Sequence, residues 1–216
     1  IAWALLGASL WWLRTKVPHV GLTLWAAGLH LAVFARLVVN PWVLGYHPRT
    51  ATPVLNWFLY AYGVCAATYF LSAWLAPRSM EPWVARTRAV GLYLSAGTIL
   101  LFLLMNLEIA DAFSTGDRVT FHLLGGGAGL AQDLAYTLGW AIFAILLLAA
   151  SIRARNRPGR VAAIALLAVT VVKAFLHDTW SLGGLYRVGS LVGLALSLAA
   201  VAVALQRFVL RKTEAE

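Results

Sequence analysis

Apolar residues run through this chain in long, nearly unbroken blocks, without the strict alternation of a half-buried strand. A membrane-crossing helix needs about 20 mainly apolar residues, with a range of about 17–25. Val20–Val39, Val54–Ala76, Ala89–Leu107, Leu134–Ile152, Val161–Leu176 and Val188–Leu205 are read as full spans. With a truncated run at Ile1–Leu13, this predicts an all-α polytopic transmembrane bundle of about seven helices. Continuous blocks favour helices over a barrel, whose strands alternate apolar and polar positions. All seven prolines fall at or between block ends, where a missing N–H and a fixed φ do no harm.

Composition agrees with the pattern. Of 216 residues, 62% are hydrophobic and 12% charged, and mean hydropathy is +0.80. A soluble domain is typically about 45–50% apolar and about 25% charged, and a chain of this size has too little interior to hide the excess from water. The partner implied is the lipid bilayer. The single cysteine, Cys65, lies within a span and carries no redox information. The chain begins at Ile1 with a short apolar run and no signal-peptide pattern, so it reads as a single transmembrane domain, 1–216, cut from a longer membrane protein.

Charge then orients the spans. Seventeen Lys and Arg face eight Asp and Glu, a formal +9. The basic residues gather in alternate connectors: Arg14 and Lys16; Arg78, Arg86 and Arg88; Arg153, Arg155, Arg157 and Arg160; then Arg207, Arg211 and Lys212 in the tail. That is the positive-inside pattern of a multi-pass inner-membrane protein with a cytoplasmic carboxy terminus, and it argues against nucleic acid as a partner. The loops 40–53, 108–133 and 177–186 then lie outside. In or beside them are Glu108, Asp111, Asp117, Asp133, Asp178, His47, His122 and His177, with Arg36, Lys173 and Arg187 at the helix ends feeding the same side. A weak echo relates Arg14–Asn40 to Arg155–Asp178 (basic loop, apolar run, late cation, polar residue), the mark of a parallel internal repeat.

Candidate chemistry therefore sits on the outer face. Arg36 and Lys173 are late enough in their spans to snorkel to the headgroups, or to converge on an anionic group. Asn106, Glu108 and Asp111 end a charge-free span, and Glu108 and Asp111 share a helix face at a spacing suited either to a solvated helix end or to proton transfer. Lys173, His177 and Asp178 precede a Gly183-Gly184 turn, after which Tyr186 and Arg187 open the next helix. Asp178 and Arg187 can close that hairpin as an ion pair, or Lys173, Tyr186 and Arg187 can form a shared anion site. The candidate catalytic carboxylates are Glu108 and Asp178. The candidate substrate-binding residues are Arg36, Asn106, Lys173, His177, Tyr186 and Arg187. No metal-ligand spacing, phosphate loop or nucleophile motif is present, so no metal or cofactor is expected. His30, in mid-span, reads as an interhelical hydrogen-bonding residue.

The segments Asn56-Trp57-Phe58-Leu59-Tyr60-Ala61-Tyr62-Gly63, Asn106-Leu107-Glu108-Ile109, Val172-Lys173-Ala174-Phe175-Leu176-His177-Asp178 and Gly184-Leu185-Tyr186-Arg187-Val188 occur in that order. Together they resemble the carboxy-terminal part of a family of very large bacterial polytopic membrane proteins of unknown function. The resemblance implies a parent chain with many more spans, and importance without an assigned role for Asn106, Glu108, Lys173, Asp178, Tyr186 and Arg187. Three functions stay open: an enzyme or carrier whose outward-facing polar pocket handles an anionic lipid-linked or envelope-derived substrate; a structural or assembly subunit among other membrane subunits; and an ion-coupled transporter. The last is disfavoured by the absence of charge at mid-depth in 54–76 and 89–107.

Overall fold

The computed structural model describes residues 1–45, 47, 49, 52, 54–76, 86–116, 119, 121 and 129–175, together with 192, 199 and 203. Among them every regular element is helical: α1 (Ala2–Arg14), α2 (Val20–Val39), α3 (Val64–Leu75), α4 (Arg86–Phe113), α5 (Leu130–Arg153) and α6 (Arg157–Lys173). A 3₁₀ turn, Pro41–Gly45, follows α2, and a π-helical turn, Leu59–Gly63, leads directly into α3. Among the described residues three helices are long and apolar enough to cross a membrane: Val20–Val39, Arg88–Phe113 and Ala131–Arg153. The expected span 188–205 lies outside the described residues apart from isolated helical positions. The chain divides into two compact units, Ile1–Leu123 and Leu124–Glu216.

Polar side chains set the helix ends. His19 caps α2 by accepting from the Gly21 N–H at 3.1 Å, and Asn40 ends it in an extended conformation just before Pro41. Asn56 Oδ1 accepts from the Leu59 N–H at 3.0 Å and so starts the next helix a turn later than the apolar pattern alone suggests. Asn156 caps α6, with Pro158 in its first turn.

In the first unit α1 packs on α2 and α3, and α3 packs on α4. The buried faces are built from small and polar residues: Ala4, Gly7, Ala8 and Trp11 of α1; Thr23, Ala26 and His30 of α2; Cys65, Ala66, Thr68, Tyr69 and Ser72 of α3. Such faces allow close backbone approach where lipid removes any hydrophobic drive between helices. Gly7 is an instance, since a Cβ there would lie 2.6 Å from the His30 imidazole. His30 donates from Nδ1 to the Ala26 carbonyl at 2.9 Å and lies edge-on to Tyr69 and Tyr93, while the Tyr69 hydroxyl donates to the His30 carbonyl. The large apolar side chains point outward instead, Trp25 at 72%, Leu31 at 68% and Trp74 at 79% exposure. At about 25 cal/mol per Å² this inside-out arrangement is tenable only against hydrocarbon.

The second unit contains the α5–α6 hairpin, reversed through Ala154–Asn156 with Arg155 in the left-handed region at φ 51°.

Candidate functional site

The polar residues of the first unit gather where α2 and α4 end. α4 runs on to Phe113, a turn and a half beyond the expected Leu107, so Glu108 and Asp111, expected in the loop 108–133, are helical residues like Asn106. Each carboxylate on this extension has a specific neighbour. Asn56 donates from Nδ2 to Glu108 Oε2 at 2.8 Å. Val54 sits at φ 66°, a left-handed conformation that a β-branched residue adopts only under strain. The second Glu108 oxygen, Oε1, is enclosed with no hydrogen-bond partner among the described residues.

Arg49 takes the other acid. Its Nε lies 2.6 Å from Asp111 Oδ1, and its remaining N–H groups reach the carbonyls of Asp111 (2.6 Å), Ser114 (2.5 Å) and Gly116 (3.0 Å). One guanidinium thus neutralises a buried carboxylate and satisfies carbonyls at and just beyond the end of α4, where the helix dipole also favours a cation. Asn106 is fully buried and donates to the Phe102 carbonyl at 2.7 Å.

Beside this assembly lies a cavity of about 580 Å³. Val33, Arg36 and Leu37 of α2 form one wall, and Trp57, Ala61 and Cys65 form another, spaced one helical turn apart through the π-helical turn. π-Turns within helices recur at functional sites because the extra residue re-aims neighbouring side chains. Ile1, Ala2, Trp3 and Val43 complete the lining, and among the described residues Arg36 is its one charged side chain. Trp57 packs against His47 with centroids 4.1 Å apart and ring planes tilted by 48°, and its Nε1–H is enclosed without a partner among the described residues.

Lys173 belongs to the second unit. It is buried at the end of α6, and Nζ donates to Thr137 Oγ1 at 2.8 Å and to the Asp133 carbonyl at 3.2 Å, both on α5. In place of snorkelling it ties the open end of the hairpin. Among the described residues no three His, Cys, Asp or Glu side chains come together as metal ligands. His177, Asp178, Tyr186 and Arg187 lie outside the described residues, as does His122.

Sequence reasoning passed over Arg49 and Val54, and put His47 on the outer face without a role. The available signal was Arg49 itself, which with Arg118 is one of two cations inside the three connectors read as outer. A family model described as predicted membrane protein (DUF2339) matches residues 1–208. Comparison with curated proteins and with solved structures gives no match.

Proposed function

The chain belongs to the DUF2339 family of predicted membrane proteins, and on that premise we propose that it handles an anionic, lipid-linked or envelope-derived substrate as an enzyme or carrier. The observation that carries this reading is the cavity. A space of about 580 Å³ with apolar walls and Arg36 in its lining suits an amphiphile, its tail on Val33, Leu37 and Ala61 and its anionic group on the guanidinium. In this reading the cavity faces outward, Glu108 in the first unit and Asp178 in the second are carboxylates for proton transfer, and Asn106 in the first unit and Lys173, His177, Tyr186 and Arg187 in the second are substrate-binding residues. In the same reading the chain forms about seven helices in a bacterial inner membrane, with arginine-bearing turns in the cytoplasm.

A second reading, a subunit without chemistry of its own, draws support from the Glu108–Asn56 and Asp111–Arg49 contacts, which use those acids to hold helices in place. Cys65 separates the two. It lies in the cavity wall and is the chain's one cysteine, so an apolar maleimide reports cavity access directly. Anionic amphiphiles such as lysophosphatidylglycerol should slow its labelling in detergent more than the zwitterionic choline analogue does, and Arg36→Gln should abolish that preference. Equal protection by both lipids, or an unchanged preference in R36Q, overturns the pocket reading.

A further inference from the structure

At the closed end of the α5–α6 hairpin, four arginines fall within eight residues: Arg153, Arg155, Arg157 and Arg160. The first three are exposed and the fourth is half-buried. None is ion-paired among the described residues. The nearest acid along α5, Asp133, is at the other end of the helix, about 30 Å away at 1.5 Å per residue.

Two features of the tip are unfavourable in isolation. Arg155 occupies the left-handed region at φ 51°, a position suited to Gly or Asn, where a side chain with a Cβ costs about 1–2 kcal/mol. Arg157 and Arg160 stand in the first turn of α6, which holds no acidic residue, so two cations face the positive end of the helix dipole. Arg160 also encloses an Nε–H that bonds to nothing among the described residues. A group bearing negative charge at this tip relieves both electrostatic costs together. It would accept from the guanidinium groups and complement the α6 dipole.

We propose that the α5–α6 tip is a docking surface for the headgroups of anionic phospholipids. Apolar α5 and α6 lead straight into the tip, so the arginines lie at headgroup level whenever the helices span the bilayer. Clusters of four or more basic residues in that position bind acidic lipid surfaces. The left-handed arginine is then retained for its charge, at the expense of local backbone comfort.

The test uses the full chain in phosphatidylcholine bilayers and reads the relative association of spin-labelled phosphatidylglycerol over spin-labelled phosphatidylcholine. The preference for the glycerol lipid should fall about fivefold for each arginine removed in Arg157→Gln and Arg160→Gln, following the roughly 1 kcal/mol that each basic residue contributes at a membrane surface. Arg155→Gly should lose the same fivefold while unfolding later than the parent in neutral detergent, because it sheds the strain and the charge together. Preference unchanged in the three variants overturns the proposal. So does Arg155→Gly leaving lipid preference intact. Soluble glycerol phosphate should not compete at concentrations matching the lipid; full competition would assign the tip to free phosphate and equally overturn the docking surface.

Discussion

Arg49→Gln removes a side chain that joins the connector after α2 to the end of α4. The parent guanidinium pairs with Asp111 at 2.6 Å and bonds three carbonyls at 2.5–3.0 Å, with side-chain exposures of 22% for Arg49 and 7% for Asp111. Breaking a buried ion pair by removing one partner costs about 3–5 kcal/mol, because the remaining charge is left in a poor solvent. Partial exposure of Arg49 lets water reach the vacated carbonyls, which places the loss near the lower bound, about 3 kcal/mol. At about 1.4 kcal/mol per factor of ten, the unfolding equilibrium shifts by roughly a hundredfold. Asp111→Asn should be milder, about 1 kcal/mol, since the amide oxygen still accepts from Arg49. In the double variant the losses should fall short of their sum by about 1–2 kcal/mol. Equilibrium unfolding in mixed micelles, followed by tryptophan fluorescence, measures all three. A loss below about 0.5 kcal/mol in R49Q would place the pair among ordinary surface ion pairs and refute the clamp.

Other contacts yield sharper local tests in the same titration. Gly7→Ala pushes a methyl to within 2.6 Å of the His30 ring and should cost about 1–3 kcal/mol, with much of the loss recovered in G7A/H30A. Asn56→Ala loses both the bond to Glu108 and the cap on Leu59, about 2 kcal/mol together, while Asn56→Ser restores the cap alone. Asn156→Ala should cost no more than about 1 kcal/mol, because its bond to the Gly159 N–H is long at 3.4 Å; a loss several times larger would mean the residue holds the hairpin turn by another route.

Helix placement was legible where a single local signal dominated. α2 runs over Val20–Val39 as its apolar block does, bounded by His19 on one side and by Asn40 and Pro41 on the other. α4 was not legible to its end, because its last turns carry Glu108 and Asp111. Acids so placed read as a helix terminus unless their partners are known, and those partners, Asn56 and Arg49, lie 52 and 62 residues away in sequence. The π-helical turn at Leu59–Gly63 leaves no mark in composition. Arg36 was visible as a cation late in an apolar run, but the cavity beside it depends on Trp57, Ala61 and Cys65 of another helix, and apolar periodicity does not say which helices meet. Lys173 was flagged for the cost of its charge, and its contacts with Thr137 and the Asp133 carbonyl are the way that cost is met.

Orientation carries the most weight, since the outward cavity and the lipid-docking tip both assume opposite leaflets for Arg36 and Arg155. Single cysteines placed by H47C or R155C in a Cys65→Ser background, expressed in whole cells and exposed to a membrane-impermeant maleimide, measure it directly. Labelling of H47C in intact cells, with R155C labelled only after lysis, is the predicted result. Labelling of R155C from outside, with H47C protected until lysis, would contradict the account.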